Sequence, residues 1–199
     1  MVIKMSKNTE FWNKKKIFIT GHTGFKGSWL CNWLISMGAE IAGFSLKPET
    51  NPNLFYETKL INNINNTFGD IRDFESLLAS IQSFKPEIIF HLAAQPLVKQ
   101  SYQDPVSTYN TNVMGTVHLM EAAKKSKSVK TIVNVTSDKC YENRELTRGY
   151  AENDQLGGFD PYSNSKACSE LVTNAYRNSF FNNINIGVAT ARAGNVIGG

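Results

Sequence analysis

Short β-branched and aromatic runs alternate along the chain with longer stretches in which apolar residues return every three or four positions. The runs are IFIT (17–20), EIAGFS (40–45), EIIFHL (87–92), TIVNVT (131–136) and INIGVATA (184–191), with TFG (67–69) a weaker sixth. Each has strand length and is apolar on successive positions, as a strand must be when helices cover both faces of its sheet. The stretches with helical spacing are 25–37, 74–84, 107–125 and 161–181. Strands alternating with helices over the whole length predict an α/β fold with a doubly wound parallel sheet. Gly38 follows the first helical stretch as a C-cap, and Asp160–Pro161 offers the last one an N-cap and a first helical residue. The Asn-rich INNINN at 61–66 reads as a loop.

Composition narrows the class. A chain of 199 residues, 41% hydrophobic and 19% charged, can bury a core, which excludes disorder along its length. No apolar run approaches the roughly 18–20 residues of a membrane span, and the polar N-terminus lacks the apolar stretch of a secretory signal. A cytoplasmic protein without a membrane partner is expected. The net charge of +4 (21 Lys and Arg against 17 Asp and Glu) suits an anionic small molecule; without a basic stripe it does not make a nucleic-acid binder. Lys14, Lys15 and Lys16 read as a solvated lead-in. Cys31, Cys140 and Cys168 form no CxxC pair, and His22, His91 and His118 are scattered, so neither a disulfide framework nor a metal centre is expected.

The chemistry sits where the strands end. The first strand runs into TGHTGFKG, with Gly21, Gly24 and Gly27 spaced GxxGxxG before a helix. Glycines there allow a tight turn and close approach of a phosphate, and the helix N-terminus offers free N–H groups to a pyrophosphate. This is a Rossmann-type dinucleotide site in its expected strand–turn–helix context. The second strand ends at Ser45 with no carboxylate for a ribose hydroxyl, and Lys47 could take a 2′-phosphate, so this position leaves NAD against NADP open. Asp70 in GDIRD is either an acceptor for the adenine amino group or a helix cap. In HLAAQ, Ala93 and Ala94 are small where a cofactor would pass, and His91 reads as a satisfied core histidine. Thr136, Ser137, Asp138 and Lys139 place hydroxyl, carboxylate and amine at the fifth strand's carboxyl edge, where catalytic groups of a doubly wound sheet are found. Tyr162 and Lys166 stand four apart on a helical stretch, hence on one face, and an ammonium beside a phenol favours the phenolate.

Together these motifs resemble the extended short-chain dehydrogenase/reductase family of nucleotide-sugar enzymes, from about Phe11 to Gly199. More narrowly, TGHTGFKGSWL, HLAAQPLV, TNVMGT, VTSDKCYEN, GGFDPYSNSKACSELV and ARAGNVIGG look like its CDP-glucose 4,6-dehydratase subgroup. The dTDP-glucose subgroup carries Thr-Asp-Glu where this chain has Ser137, Asp138 and Lys139. The resemblance implies NAD as cofactor, held by Gly21, Thr23, Gly24, Phe25, Lys26, Gly27, Asp70, Ile71, Leu92, Ala93, Ala94, Gln95, Thr136, Tyr162 and Lys166. It implies a substrate, CDP-glucose, touched by Gln95, Ser137 and Asn195, with Asn112 organising the site through backbone contacts. Tyr162 would take the sugar 4-hydroxyl proton, Lys166 would hold the nicotinamide ribose, and Ser137 would bond the 4-oxygen. Lys139 would remove the C5 proton, and a buried, neutral Asp138 would assist loss of the C6 hydroxyl. A buried Lys139 with a lowered pKa is part of that expectation, and Arg192 is left as structural.

Residues 1–15 are then a lead-in and 16–199 an NAD-binding domain with the start of a substrate region. The chain stops in a glycine-rich turn just after a strand, and family members continue into a C-terminal substrate domain, so a truncated chain is expected. The resemblance further implies a homodimer, or a higher homo-oligomer, through 107–125 and 161–181, with Val113, Leu119, Leu171 and Val172 at the interface, and a role in supplying a deoxysugar for lipopolysaccharide O-antigen. An epimerase or reductase of another nucleotide sugar, and a non-catalytic dinucleotide-binding module, are the alternatives.

Overall fold

Alternation within the strands decides the layers. In β1 (Lys16–Thr20), Ile17 and Ile19 enter one apolar core and Phe18 the other, all three fully buried. In β2 (Glu40–Ser45), Ile41 joins the first core while Ala42 and Phe44 join the second; Ile88 and Ile89 of β4 (Ile88–His91) divide the same way. A strand has period two, so a run apolar on both parities must be buried on both faces.

The computed structural model describes residues 9–197. With β3 (Asn65–Phe68), β5 (Thr131–Val135) and β6 (Gly187–Ala191), the strands form one parallel sheet in the order β3-β2-β1-β4-β5-β6. The order reverses between β1 and β4, which opens a crevice at their carboxyl ends. On one face, α2 (Phe25–Ser36) and α3 (Leu54–Glu57) contribute Cys31, Leu34 and Phe55 to the core. On the other, α4 (Phe74–Phe84) and α7 (Gly115–Lys124) contribute Leu77, Ile81, Leu119 and Met120, with Tyr176 of α8 (Pro161–Ser179) packed against them. Helix α2 ends in a Schellman turn: the Gly38 N–H donates to Ile35 O and the Ala39 N–H to Leu34 O. Asp160 caps α8, accepting from the Ser163 N–H at 2.9 Å.

Several sequence expectations need correction. The stretch 107–125 is helical as expected but not regularly α: α6 (Pro105–Tyr109) runs through a π-helical turn, Asn110–Met114, straight into α7, and a separate short helix, α5 (Val98–Gln103), precedes it. The weak strand at 67–69 lies at 65–68, so Asn65 and Asn66 of the expected loop pair with Ala42 and Gly43; the free edge of β2 overrides their low strand propensity. The last helix stops at Ser179, and 181–184 is a 3-10 turn ending in left-handed Asn185 (φ 57°), which delays β6 to Gly187. Within the lead-in, α1 (Thr9–Trp12) places Trp12 against the core, near the Phe90 ring; residues 1–8, and the final two glycines, lie outside the described residues. Lys16 belongs to β1, and Lys15 pairs with Glu87 at 3.2 Å. Among the described residues no helix is long and apolar enough to cross a membrane, and no cluster of His, Cys, Asp and Glu could hold a metal ion.

Candidate active site

Because all six strands run parallel, the turns leaving their carboxyl ends share one edge, and they line a cleft of about 1020 Å³. The glycine turn contributes Gly21, Thr23, Gly24, Phe25, Lys26 and Gly27; Asp70 and Ile71 follow β3, Leu92 to Gln95 follow β4, Thr136 follows β5, and Tyr162 and Lys166 come from α8. The fold thus brings every cofactor contact that the sequence nominates to one place. The cleft's far end is walled by Ser45, Lys47 and Glu49, a cation and a carboxylate together. Ser45 Oγ lies 2.9 Å from Thr23 Oγ1, which donates to Leu46 O.

Two glycines make the crevice close-packed. Gly21 has φ +75°, and a Cβ there would lie 2.7 Å from Ala93 N; a Cβ on Gly27 would overlap the Gly21 carbonyl oxygen. Gly24 is the N-cap of α2 and has no side chain to cap it, which leaves the helix's first amides to an anion. Below the turn, buried His22 is 2.6 Å from Asn66 Oδ1 and packs against Gly43.

His91 is a positioned core histidine, and its tautomer follows from its partners. Thr20 Oγ1 accepts from the Leu92 and Ala93 N–H groups, each at 3.2 Å, so its own hydrogen goes to His91 Nδ1 at 2.7 Å. The ring proton then sits on Nε2, facing Thr116 Oγ1 at 3.4 Å, and Thr116 donates to Asn112 O at 2.7 Å. Burial, with the Lys166 charge, pushes His91 down to about 3.

Asn112 sits in the π-turn with its amide spent on the cleft wall. Its Oδ1 accepts from the Gln95 N–H at 2.8 Å, and its Nδ2 donates to Gln95 O at 3.1 Å and Ser165 Oγ at 2.8 Å. Asp70 accepts from the Arg72 side chain and backbone; that bond to the guanidinium holds its carboxyl below the usual range.

Tyr162 and Lys166 are both buried. Lys166 Nζ donates to Val135 O at 3.3 Å; burial, then the Lys26 ammonium, push it down to about 8. The triplet after β5 is arranged differently from expectation. Asp138 and Lys139 are not buried: their side chains are 53% and 45% exposed, and they pair with each other at 3.5 Å. They stand beyond the sheet edge on a 3-10 turn, where water reaches both. Ser137 is buried and caps that turn, donating to Asp138 Oδ1 at 3.1 Å and accepting from the Lys139 N–H at 3.2 Å. Asp138 lines a neighbouring groove of about 1170 Å³ beside β6 and α8. Asn195 is exposed on the segment after β6, next to Gly194, whose carbonyl accepts from Lys26 Nζ at 3.2 Å. Sequence reasoning missed Glu170, a buried carboxylate one turn past Lys166, and left out Arg192, which pairs with it at 3.1 Å. The spacing of four from Lys166 was the available signal.

Residues 18–195 match the family model described as GDP-mannose 4,6 dehydratase. The chain is 58% identical to the CDP-glucose 4,6-dehydratase of Salmonella typhimurium over 95% of its own length and 54% of that protein's. It is 31% identical to the UDP-glucose 4-epimerase of Mycolicibacterium smegmatis, over 83% of this chain and 52% of that one. Among solved structures, a dTDP-glucose 4,6-dehydratase from Streptomyces venezuelae with NAD bound superposes with a TM-score of 0.77 at 26% identity, over 88% of this chain and 54% of that one. The chain spans about half the length of the curated relatives it matches.

Proposed function

The chain belongs to the GDP-mannose 4,6-dehydratase family, and we propose that it is the dinucleotide-binding part of an NAD-dependent nucleotide-sugar 4,6-dehydratase acting on CDP-D-glucose. The product is CDP-4-keto-6-deoxy-D-glucose, formed by loss of one water. The observation that carries this is the meeting of Tyr162 and Lys166 with the glycine turn in one cleft, beside the Ser137–Asp138–Lys139 turn. The 58% identity to a CDP-glucose enzyme supports the choice of base and sugar.

The cleft fits a dinucleotide: the uncapped first turn of α2 suits a pyrophosphate, and Gly21, Gly24 and Gly27 line the cleft without side chains to fill it. NAD, which the glycine turn, Asp70, Ala93, Tyr162 and Lys166 would hold, would supply the hydride acceptor for C4 and the donor for C6, leaving no net redox change. Tyr162 takes the 4-hydroxyl proton, and Lys166, which lines the same cleft, holds the nicotinamide ribose. Ser137 bonds the 4-oxygen, Lys139 removes the C5 proton, and Asp138 protonates the departing C6 hydroxyl. Asp138 and Lys139 share one proton for these two tasks. The two side chains stand 3.5 Å apart, within reach of a proton passed between them once a sugar covers both.

A homodimer through α6, α7 and α8 is part of the proposal. Leu119 is withdrawn from the interface because it is fully buried in the chain's own core, whereas Leu171 is 58% exposed and Val106 70%. We place the enzyme in the cytoplasm, supplying a deoxysugar precursor for surface polysaccharide such as O-antigen.

Mass spectrometry of the chain with NAD and an equimolar mixture of CDP-, dTDP-, GDP- and UDP-hexoses tests the proposal. Loss of one water from CDP-glucose alone is expected. Water lost from another nucleotide sugar keeps the chemistry and removes the base assignment, and an isomerised sugar, equal in mass and therefore read by NMR of the same mixture, marks an epimerase.

A further inference from the structure

We propose that Glu170 is a positioning residue for the substrate side of the site, a buried carboxylate that holds the end of β5, β6 and the 141–157 loop in one register; this rests on the function proposed above. Three donors from three segments point at it. Thr136, directly before Ser137, donates to Oε1, and Thr190 of β6 donates to Oε2 at 2.9 Å. Arg192 Nη2 donates to Oε2 at 3.1 Å. Arg192 carries the connection outward: its Nη1 donates to Glu152 O at 3.0 Å, and its guanidinium lies 4.9 Å from the Tyr141 ring centroid. Tyr141 in turn stacks on Tyr150 at 5.0 Å.

One carboxylate therefore reaches the residue before Ser137, the strand leading to Asn195, and the loop on the far side of Asp138. Asp138 lines the same groove as Glu170, Thr190, Arg192, Tyr141 and Tyr150. An ionised carboxylate accepts at both oxygens, which is what three converging donors require. A glutamine has one acceptor oxygen and presents an NH₂ where the other donors arrive. It also leaves the half-buried Arg192 charge without its partner. Apolar packing alone would require none of these donors.

Amide hydrogen exchange on the 199-residue chain reads the clamp without turnover. In Glu170→Gln, exchange across 141–157 and 192–197 rises about tenfold or more, while β1 and α2 keep wild-type protection. Should that variant fail to fold, Arg192→Gln leaves both threonine bonds in place and gives the same local loss. A second readout separates positioning from bulk packing. Lys166 faces Lys26 from α2, His91 from β4, Cys140 after β5 and Glu170 on its own helix; burial and Lys26 lower it, and Glu170 is the main opposing charge. Glu170→Gln therefore moves the alkaline limb of kcat/KM for CDP-glucose to lower pH. Wild-type protection of 141–157 in folded Glu170→Gln or Arg192→Gln, or a rise spread evenly over the whole chain, overturns the clamp. No water loss by the wild type counts against the function proposed above and leaves exchange to decide the clamp.

Discussion

At the residue scale, Lys166 and Lys139 live in different environments and should behave differently. Lys166 is buried with Lys26 nearby and is pushed down to about 8, so its ammonium is lost as pH rises through that value. If that ammonium holds the ribose, kcat/KM falls on the alkaline side with a midpoint near 8, which a pH–rate profile checks. A profile flat to well above that point would remove Lys166 from the mechanism. Lys139 is exposed beside Asp138, so the proton transfer proposed for it depends on a bound sugar covering the pair. Lys139→Met is expected to stop water loss while leaving oxidation at C4, seen as nicotinamide absorbance that rises and stays. A variant that still loses water at the wild-type rate would show that Lys139 is not the C5 base.

At the element scale, the π-turn within the expected 107–125 helix is the feature that hydrophobic spacing could not reveal. One extra residue in the turn breaks the 3.6 period locally, and its purpose lies across the chain, at Gln95. Asn112→Ala removes the partner of both Gln95 backbone groups and should cost about 1–3 kcal/mol in a denaturant titration, with cofactor binding weakened in parallel. The glycine turn is the opposite case. Its sequence spacing, its Gly21 backbone and its uncapped helix all follow from local chemistry, and the observed turn agrees with the motif.

At the scale of the whole molecule, two apolar cores on opposite faces of one sheet hold the fold, and buried neutral histidines tie its stability to acid. His91 is held near 3 against its ordinary 6.5, so the folded chain resists a proton that the unfolded chain accepts. That stability is fully present above 6.5 and is lost as pH falls toward 3, at up to about 1.4 kcal/mol per unit. Burial lowers His22 as well. Urea unfolding should show the midpoint falling between about pH 6.5 and pH 5, above the range where carboxylates titrate. In a folded His91→Asn variant the slope in that window shrinks to the His22 share. A midpoint flat across it would contradict the neutral assignment.

The sequence alone determined the sheet, most of its strands, and the cleft's inventory from Gly21 to Lys166. Period-two apolar runs and glycine spacing are local signals, and parallel strands then bring their carboxyl ends to one edge without further instruction. Only tertiary structure decided the rest. It set Asn65 and Asn66 as strand, because the edge of β2 was there to pair with. It left Asp138 and Lys139 in water, buried Leu119, and turned Glu170 inward to three donors that stand 34, 20 and 22 positions away along the chain. Burial and long-range pairing depend on which segments meet, and no spacing within a single segment encodes that.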